Sequence, residues 1–273
     1  MPPFRPDPRE LDLLVRTLSP LMRIASPSFH GLDRIPATRP LLFVGNHTLY
    51  GMLDVPFMFA ELWRTHRICL RGLGDHLHFK VPLWRDLLTR FGAVEGTPET
   101  CAALMQAGES VLVFPGGSRE VFKRRDERYR LIWKERLGFA RLALRHGCTI
   151  VPFAAVGADD CYKILLDGSD VENSPVGRVA ARLGIKFDLV PPIVLGALNS
   201  PLPRPERFYY YFGDPIVPDG DPADQAAVRA LRDRTRTAVE AGLAALLAQR
   251  EQDPHRSIVR RLVRAVRPRS PQG

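Results

Sequence analysis

Two short polar blocks, each directly following an apolar run, have residue types and spacing suited to chemistry in this 273-residue chain. The first is Gly45-Asn46-His47, after Leu41-Leu42-Phe43-Val44, with Asp54 further on. A neutral imidazole takes a proton from an attacking hydroxyl near neutral pH. A carboxylate beside it orients the ring and stabilises the imidazolium. The second block is Phe114-Pro115-Gly116-Gly117-Ser118-Arg119-Glu120, after Val111-Leu112-Val113. Its glycines let backbone N–H groups turn toward one point, and such concavities bind anions. Arg119 adds a planar fork of donors suited to phosphate or carboxylate. Each block also has a plain reading: Pro-Gly-Gly after a strand is a turn, and a single His ahead of a helix is a loop or cap residue.

Such blocks need strands to carry them. Apolar runs at 41–44, 67–71, 111–114 and 149–156 alternate with helical candidates at 53–63, 83–91, 98–107 and 133–145. This alternation predicts an α/β fold with a mainly parallel or mixed sheet flanked by helices. Sheets of that kind bind ligands beyond the carboxyl ends of their strands. Leu11, Leu14, Val15, Leu18 and Met22 have the spacing of an N-terminal amphipathic helix that Pro20 bends or ends. It packs on the core or lies on a bilayer. The aromatic run 207–212 predicts a buried strand. Asp221-Pro222 predicts the N-cap and first residue of a helix carrying Val228, Leu231, Val239, Leu243 and Leu246. A C-terminal amphipathic helix would place Ile258, Val259, Leu262, Val263 and Val266 on one face, with Arg256, Arg260, Arg261, Arg264, Arg267 and Arg269 around the rest. That pattern suits an anionic interface; a disordered or core-docked tail is the plain alternative. The run Lys123-Arg124-Arg125-Asp126-Glu127-Arg128 reads as a solvated loop, or as a loop beside an acceptor site.

Taken together, the blocks resemble those of the glycerolipid acyltransferase superfamily, the PlsC-like lysophospholipid acyltransferases. Asn46-His47 matches the family's Asn-His-x4-Asp block, and Val151-Pro152 a later Val-Pro pair. Residues 114–119 match its Phe-Pro-Glu-Gly-Thr-Arg block imperfectly, with Gly116 where the family has glutamate. The stretch 114–160 is similar to one branch, the plastid phytyl ester synthases and type 2 diacylglycerol acyltransferases. It carries Pro115-Gly116-Gly117, Arg119-Glu120, Tyr129, Leu131, Trp133-Lys134, residues 138–143 and 147–153, then Gly157 with Asp159-Asp160. Residues 207–216 also look like that branch. The resemblance spans roughly 41–217.

The resemblance implies O-acyl transfer, with His47 and Asp54 catalytic, and Asn46, Gly116, Gly117, Ser118, Arg119 and Glu120 at the substrate. It implies an acyl-CoA or acyl carrier protein donor as substrate, a lipid acceptor, and neither a metal nor another cofactor. Six residues rather than four separate His47 from Asp54. On a straight helix that places them about 10 Å apart along the axis. The pair therefore needs a non-helical start, which Gly51 permits, or His47 has another carboxylate. Gly116 supplies no carboxylate, which favours neutral-alcohol acceptors such as a glycerolipid or long-chain alcohol over 1-acylglycerol-3-phosphate. Apolar Leu49, Met52, Val55, Phe57, Met58 and Phe59 are candidates for an acyl channel, though helix core is the commoner use of such residues. On this reading residues 1–36 form an N-terminal helical segment, 37–250 the acyltransferase domain and 251–273 a basic tail.

Composition fits that picture. Hydrophobic residues at 45% and charged residues at 25% are ordinary for a globular chain. A formal charge of +9 favours an anionic membrane surface or a phosphorylated substrate. The same charges bind nucleic acid nonspecifically, and no specific nucleic-acid partner is expected. The four cysteines lack metal-ligand spacing and read as reduced thiols. No apolar run reaches about 20 residues, and the first residues do not resemble a secretory signal. The expected location is cytoplasmic, peripherally on the inner face of a membrane. Two rival readings stay open. One is a lipid esterase or thioesterase using Ser118 as nucleophile and His47 as base, although the second glycine of Gly-x-Ser-x-Gly is absent. The other is a non-catalytic membrane-binding protein.

Overall fold

The computed structural model describes residues 5–51, 53–183, 187–258 and 260–261. The first half of the chain runs α1 (Pro8–Ala25), β1 (Ser28–His30), β2 (Leu41–Gly45), α2 (Val55–His66), β3 (Leu70–Gly74), α3 (Pro82–Arg90), β4 (Val94–Glu95), α4 (Pro98–Gln106) and β5 (Ser110–Val113). Then come α5 (Ser118–Val121), α6 (Gly138–His146), β6 (Thr149–Val156), β7 (Lys163–Leu166), α7 (Gly168–Asn173), α8 (Pro175–Arg182), β8 (Ile193–Leu195), β9 (Tyr209–Phe212) and α9 (Gln225–Gln252). Seven strands form one sheet in the order β1-β9-β6-β2-β5-β3-β4, and β7 and β8 pair separately. The sheet is parallel except where β9 meets β6 antiparallel. It is thus the mixed, helix-flanked α/β sheet that the alternation predicts.

Alternation along β2 builds two cores. Leu41 and Phe43 pack with α1 and α2 on one face, while Leu42 and Val44 pack with α4, α6 and α9 on the other. The four cysteines divide the same way: Cys69 and Cys161 lie in the first core, Cys101 and Cys148 in the second. All four are buried free thiols.

Several boundaries differ from the sequence expectation. Pro20 neither ends nor breaks α1, which runs on to Ala25. Leu11 and Ala25 are buried on either side of it, and this packing outweighs one missing hydrogen bond. The strand expected at 67–71 starts later, because α2 continues until Arg67 caps it in a left-handed conformation. The helix expected from Trp133 begins only at Gly138; Trp133 is buried in the preceding loop, edge-on to Phe139. Asp224, not Asp221, caps α9, accepting from the Ala226 N–H at 2.8 Å. Asp221 accepts from Ala223 in the preceding turn. The aromatic run is buried in β9, as expected. Most of the expected C-terminal amphipathic helix, including Val259, Leu262, Val263, Val266, Arg264, Arg267 and Arg269, lies outside the described residues. Among the described residues no helix is long and apolar enough to cross a membrane.

Candidate functional site

The two polar blocks meet because the strands before them are neighbours. β2 and β5 pair in parallel, Leu42 with Val111 and Val44 with Val113. Their carboxyl ends therefore release residues 46–47 and 114–117 side by side. The His47 ring stacks on Phe114, with centroids 3.9 Å apart and planes 14° from parallel. On the other flank of β2, buried Asn46 extends the ladder with its side chain. Its amide donates to Ala155 O at 2.9 Å and accepts from Ala155 N at 2.8 Å.

The segment after His47 leaves the strand through a tight non-helical turn. Tyr50 and Gly51 both have positive φ, 59° and 61°, so the straight helix that would hold Asp54 away from His47 does not form. A Cβ on Gly51 would lie 2.0 Å from the His47 Cε1; glycine is required there by contact as well as by conformation. Asp54 sits at the N-cap of α2 but does not cap it. Its buried carboxylate turns back to accept from the Thr48 hydroxyl at 2.8 Å. Burial lifts the Asp54 pKa to about 6, a rise the Thr48 hydrogen bond only partly opposes.

The second block divides: Gly117 and Ser118 line a cleft with His47, while Arg119 and Glu120 are buried. The Gly117 N–H closes a turn onto Phe114 O. Arg119 is buried and forked onto both carboxylate oxygens of Glu127, one at 2.8 Å. Its donors are thus used within the protein. Glu120 is completely buried and holds two backbone N–H groups, of His47 at 2.9 Å and of Ile132 at 2.7 Å. Burial raises its pKa, with Lys123 and these N–H groups opposing. A Cβ on Gly116 would lie 2.1 Å from the Glu120 Cδ. The carboxyl of Glu120 therefore fills the space that a side chain at 116 would take. Asn46, Arg119 and Glu120, expected at the substrate, are all buried, and Glu120 backs His47 directly.

Three groups were not among the site residues expected from sequence. Lys123, read as part of a solvated run, is 1% exposed and pairs with the equally buried Asp159 at 2.9 Å. Asp159 also accepts from Leu49 N at 2.6 Å and Tyr129 N at 3.2 Å. The turn after His47 is therefore gripped by two buried carboxylates from separate segments. The third is Arg136, whose guanidinium donates to Pro115 O at 3.0 Å and packs over Gly117. It has no carboxylate partner among the described residues. The signal for Lys123 and Asp159 lies in their pairing, 36 positions apart, which no local pattern carries.

One cavity opens on the imidazole and a second reaches Gly51 beside it. A polar cleft of about 370 Å³ is lined by His47, Asp75, Phe114, Gly117, Ser118 and Arg136. An apolar chamber of about 330 Å³ lies among α1, α2 and α3, lined by Leu14, Gly51, Val55, Phe59, Trp84 and Leu112, among others. Gly51 lines the chamber and lies against the His47 ring, which itself lines the polar cleft. Of the channel candidates, Val55 and Phe59 face this chamber. Leu49 and Met58 are core residues, Phe57 lines another cavity, and Met52 lies outside the described residues. This arrangement suits proton transfer at a junction of a polar and an apolar substrate part.

A family model described as Acyltransferase matches residues 26–156. Phytyl ester synthase 1, chloroplastic, of Arabidopsis thaliana is 35% identical over 85% of this chain, which spans 36% of that protein. The DGAT1/2-independent enzyme synthesizing storage lipids of Homo sapiens is 29% identical over 78% of this chain and 59% of its own length. The crystal structure of the 1-acyl-sn-glycerophosphate acyltransferase PlsC from Thermotoga maritima superposes with a TM-score of 0.56 at 16% identity, covering 87% of this chain and 80% of that one. That likeness is one of fold. The chain spans about a third of the phytyl ester synthases it matches.

Proposed function

We propose that this chain, which matches the Acyltransferase family model over residues 26–156 and resembles phytyl ester synthases, moves a fatty acyl group from a thioester donor to a hydroxyl of a lipid acceptor. The observation that carries this reading is His47 on the wall of the polar cleft, with Gly51, which lines the apolar chamber, against its ring. His47 takes the proton of the acceptor hydroxyl, whose oxygen attacks the thioester carbonyl. The tetrahedral adduct then expels the thiolate, and the imidazolium returns the proton to the sulfur. The acyl chain lies in the chamber. Arg136, with no carboxylate partner among the described residues, binds a phosphate of the donor or an anionic acceptor head in the cleft. Asp54 is the orienting carboxylate; with a pKa of about 6 it is charged at neutral pH.

The favoured acceptor is a neutral alcohol, a glycerolipid or long-chain alcohol, with a lysophospholipid as the alternative. The donor is acyl-CoA or acyl carrier protein. The protein works peripherally at a membrane's inner face, a reading supported by its net charge of +9. A hydrolase reading keeps one supporting observation, since Ser118 lines the same cleft as His47. Its hydroxyl donates to Asp75 at 3.5 Å.

Transfer of labelled palmitate from palmitoyl-CoA to a panel of long-chain alcohol, diacylglycerol and lysophosphatidic acid tests the proposal. Wild type should label an acceptor and His47→Ala should not. Equal labelling by both removes His47 from the mechanism. Loss of all turnover in Ser118→Ala, with release of free fatty acid by wild type, would favour the hydrolase.

A further inference from the structure

Residues 163–202, which hold β7, α7, α8 and β8, expose apolar side chains out of proportion to their length. Ten of the seventeen large hydrophobic residues exposed among the described residues lie there. Val176 (79% exposed), Val179 (58%) and Leu183 (78%) recur at helical spacing along α8 and just past its end. Leu166 and Ile193 are partners across the β7–β8 pair, and both are exposed. Leu198 is fully exposed at a turn where its own φ is 51°.

Charge in this unit is sorted by direction. Its carboxylates face the loop after the second polar block: Asp167 and Asp170 pair with Arg125, Glu172 with Arg124, and Asp188 with Lys134. Lys163, Arg178 and Arg182 are exposed and have no ion pair among the described residues. The outward face thus combines bare aliphatic side chains with uncompensated cations. That combination fits an anionic lipid surface, where apolar groups enter the acyl boundary and cations meet headgroups. The unit also reaches the site, because the Tyr50 hydroxyl, in the turn after His47, donates to Pro192 O at 2.6 Å.

We propose that residues 163–202 form a lobe that seats the protein on an anionic bilayer through Val176, Val179, Leu183 and neighbouring aliphatic groups, with Arg178 and Arg182 at the headgroups. This deepens the lipid-acceptor reading, and it is tested without turnover. Full-length protein is sedimented with vesicles of phosphatidylcholine alone or containing about one-third phosphatidylglycerol. Val176→Ser/Val179→Ser/Leu183→Ser should lower partitioning at least about tenfold. Arg178→Glu/Arg182→Glu should abolish the preference for the anionic vesicles. Leu13→Ser/Leu21→Ser, on the exposed side of α1, should change partitioning by less than about threefold. Thermal melting checks that the variants fold; if the triple variant does not, the charge reversal carries the test alone. Wild-type partitioning by the lobe variants overturns the proposal, as does failure of wild type to bind either vesicle. A dimer that the triple variant disperses, with no vesicle binding, would assign the face to a second copy of this chain. None of these outcomes depends on acyl transfer, so failure of the lobe and failure of the enzymatic reading are separable.

Discussion

The wall behind His47 and the lobe at 163–202 treat their polar and apolar groups in opposite ways. Behind His47, Asn46, Glu120, Lys123 and Asp159 are all buried, and each has its polar atoms matched within the protein. In the lobe, aliphatic side chains are exposed, and Lys163, Arg178 and Arg182 have no ion pair among the described residues. A buried polar group left unmatched is costly, so the wall is a fixed frame for one imidazole. Aliphatic exposure costs far less per residue and is recovered on contact with another apolar phase. On the proposed function, one region holds a reacting group still and the other meets a surface.

The largest effect that separates the two regions is expected at His47. His47→Ala should lower acyl transfer by about 10³-fold while leaving vesicle partitioning unchanged. Transfer and sedimentation assays on one preparation check both. Next, Gly51→Ala should lower kcat by about a hundredfold, because its Cβ would displace the ring it touches. Single-turnover kinetics reads that loss directly. Arg136→Gln should raise KM for palmitoyl-CoA about tenfold with little change in kcat, as steady-state kinetics over donor concentration would reveal.

Gly116→Ala should cost about 2 kcal/mol of stability by colliding with Glu120. In a Glu120→Ala background the same change should cost almost nothing. Urea unfolding of the four proteins closes that cycle, and additive costs would show that Gly116 and Glu120 do not share space.

A further effect is a pH dependence of stability. A buried carboxyl with a raised pKa is most favourable while protonated. The contribution of Asp54 to stability is therefore full below its ordinary value of 3.8, falls as pH rises through the window up to about 6, and is then a penalty of about 3 kcal/mol. Asp54→Asn keeps an acceptor for Thr48 and removes the charge. It should be more stable than wild type at pH 8, by up to about 3 kcal/mol, and equal to it at pH 4. Denaturation at the two pH values would show a constant difference if burial of charge is not the cause.

How much of this was legible before the structure depends on the range of the interaction. The strands before His47 and Phe114 are continuous apolar runs ended by turn residues, and their position needs no distant partner. The adjacency of the two blocks follows from the α/β pattern. The role of Glu120 does not, since it rests on a hydrogen bond to His47 across 73 positions. Lys123 looked solvated among its charged neighbours because only Asp159, on another loop, makes its burial tolerable. Arg119 and Arg136 are chemically alike in sequence, and only the site of Glu127 decides which one is occupied. The elements of the lobe are three to eight residues long, too short for periodicity to announce them.

The division of the cysteines between the two cores has a practical consequence. Burial lifts Cys69 and Cys101 to about 11, and Cys148 and Cys161 to about 12. At neutral pH the thiolate fraction in the native protein is negligible, whereas an unfolded thiol ionises near 8.5. Alkylation is therefore controlled by opening of the structure, and each tag records which side of the sheet let reagent in. Peptide-resolved labelling of Cys69 and Cys161 against Cys101 and Cys148 would time the exposure of the two helical layers separately, using reporters already built into the chain.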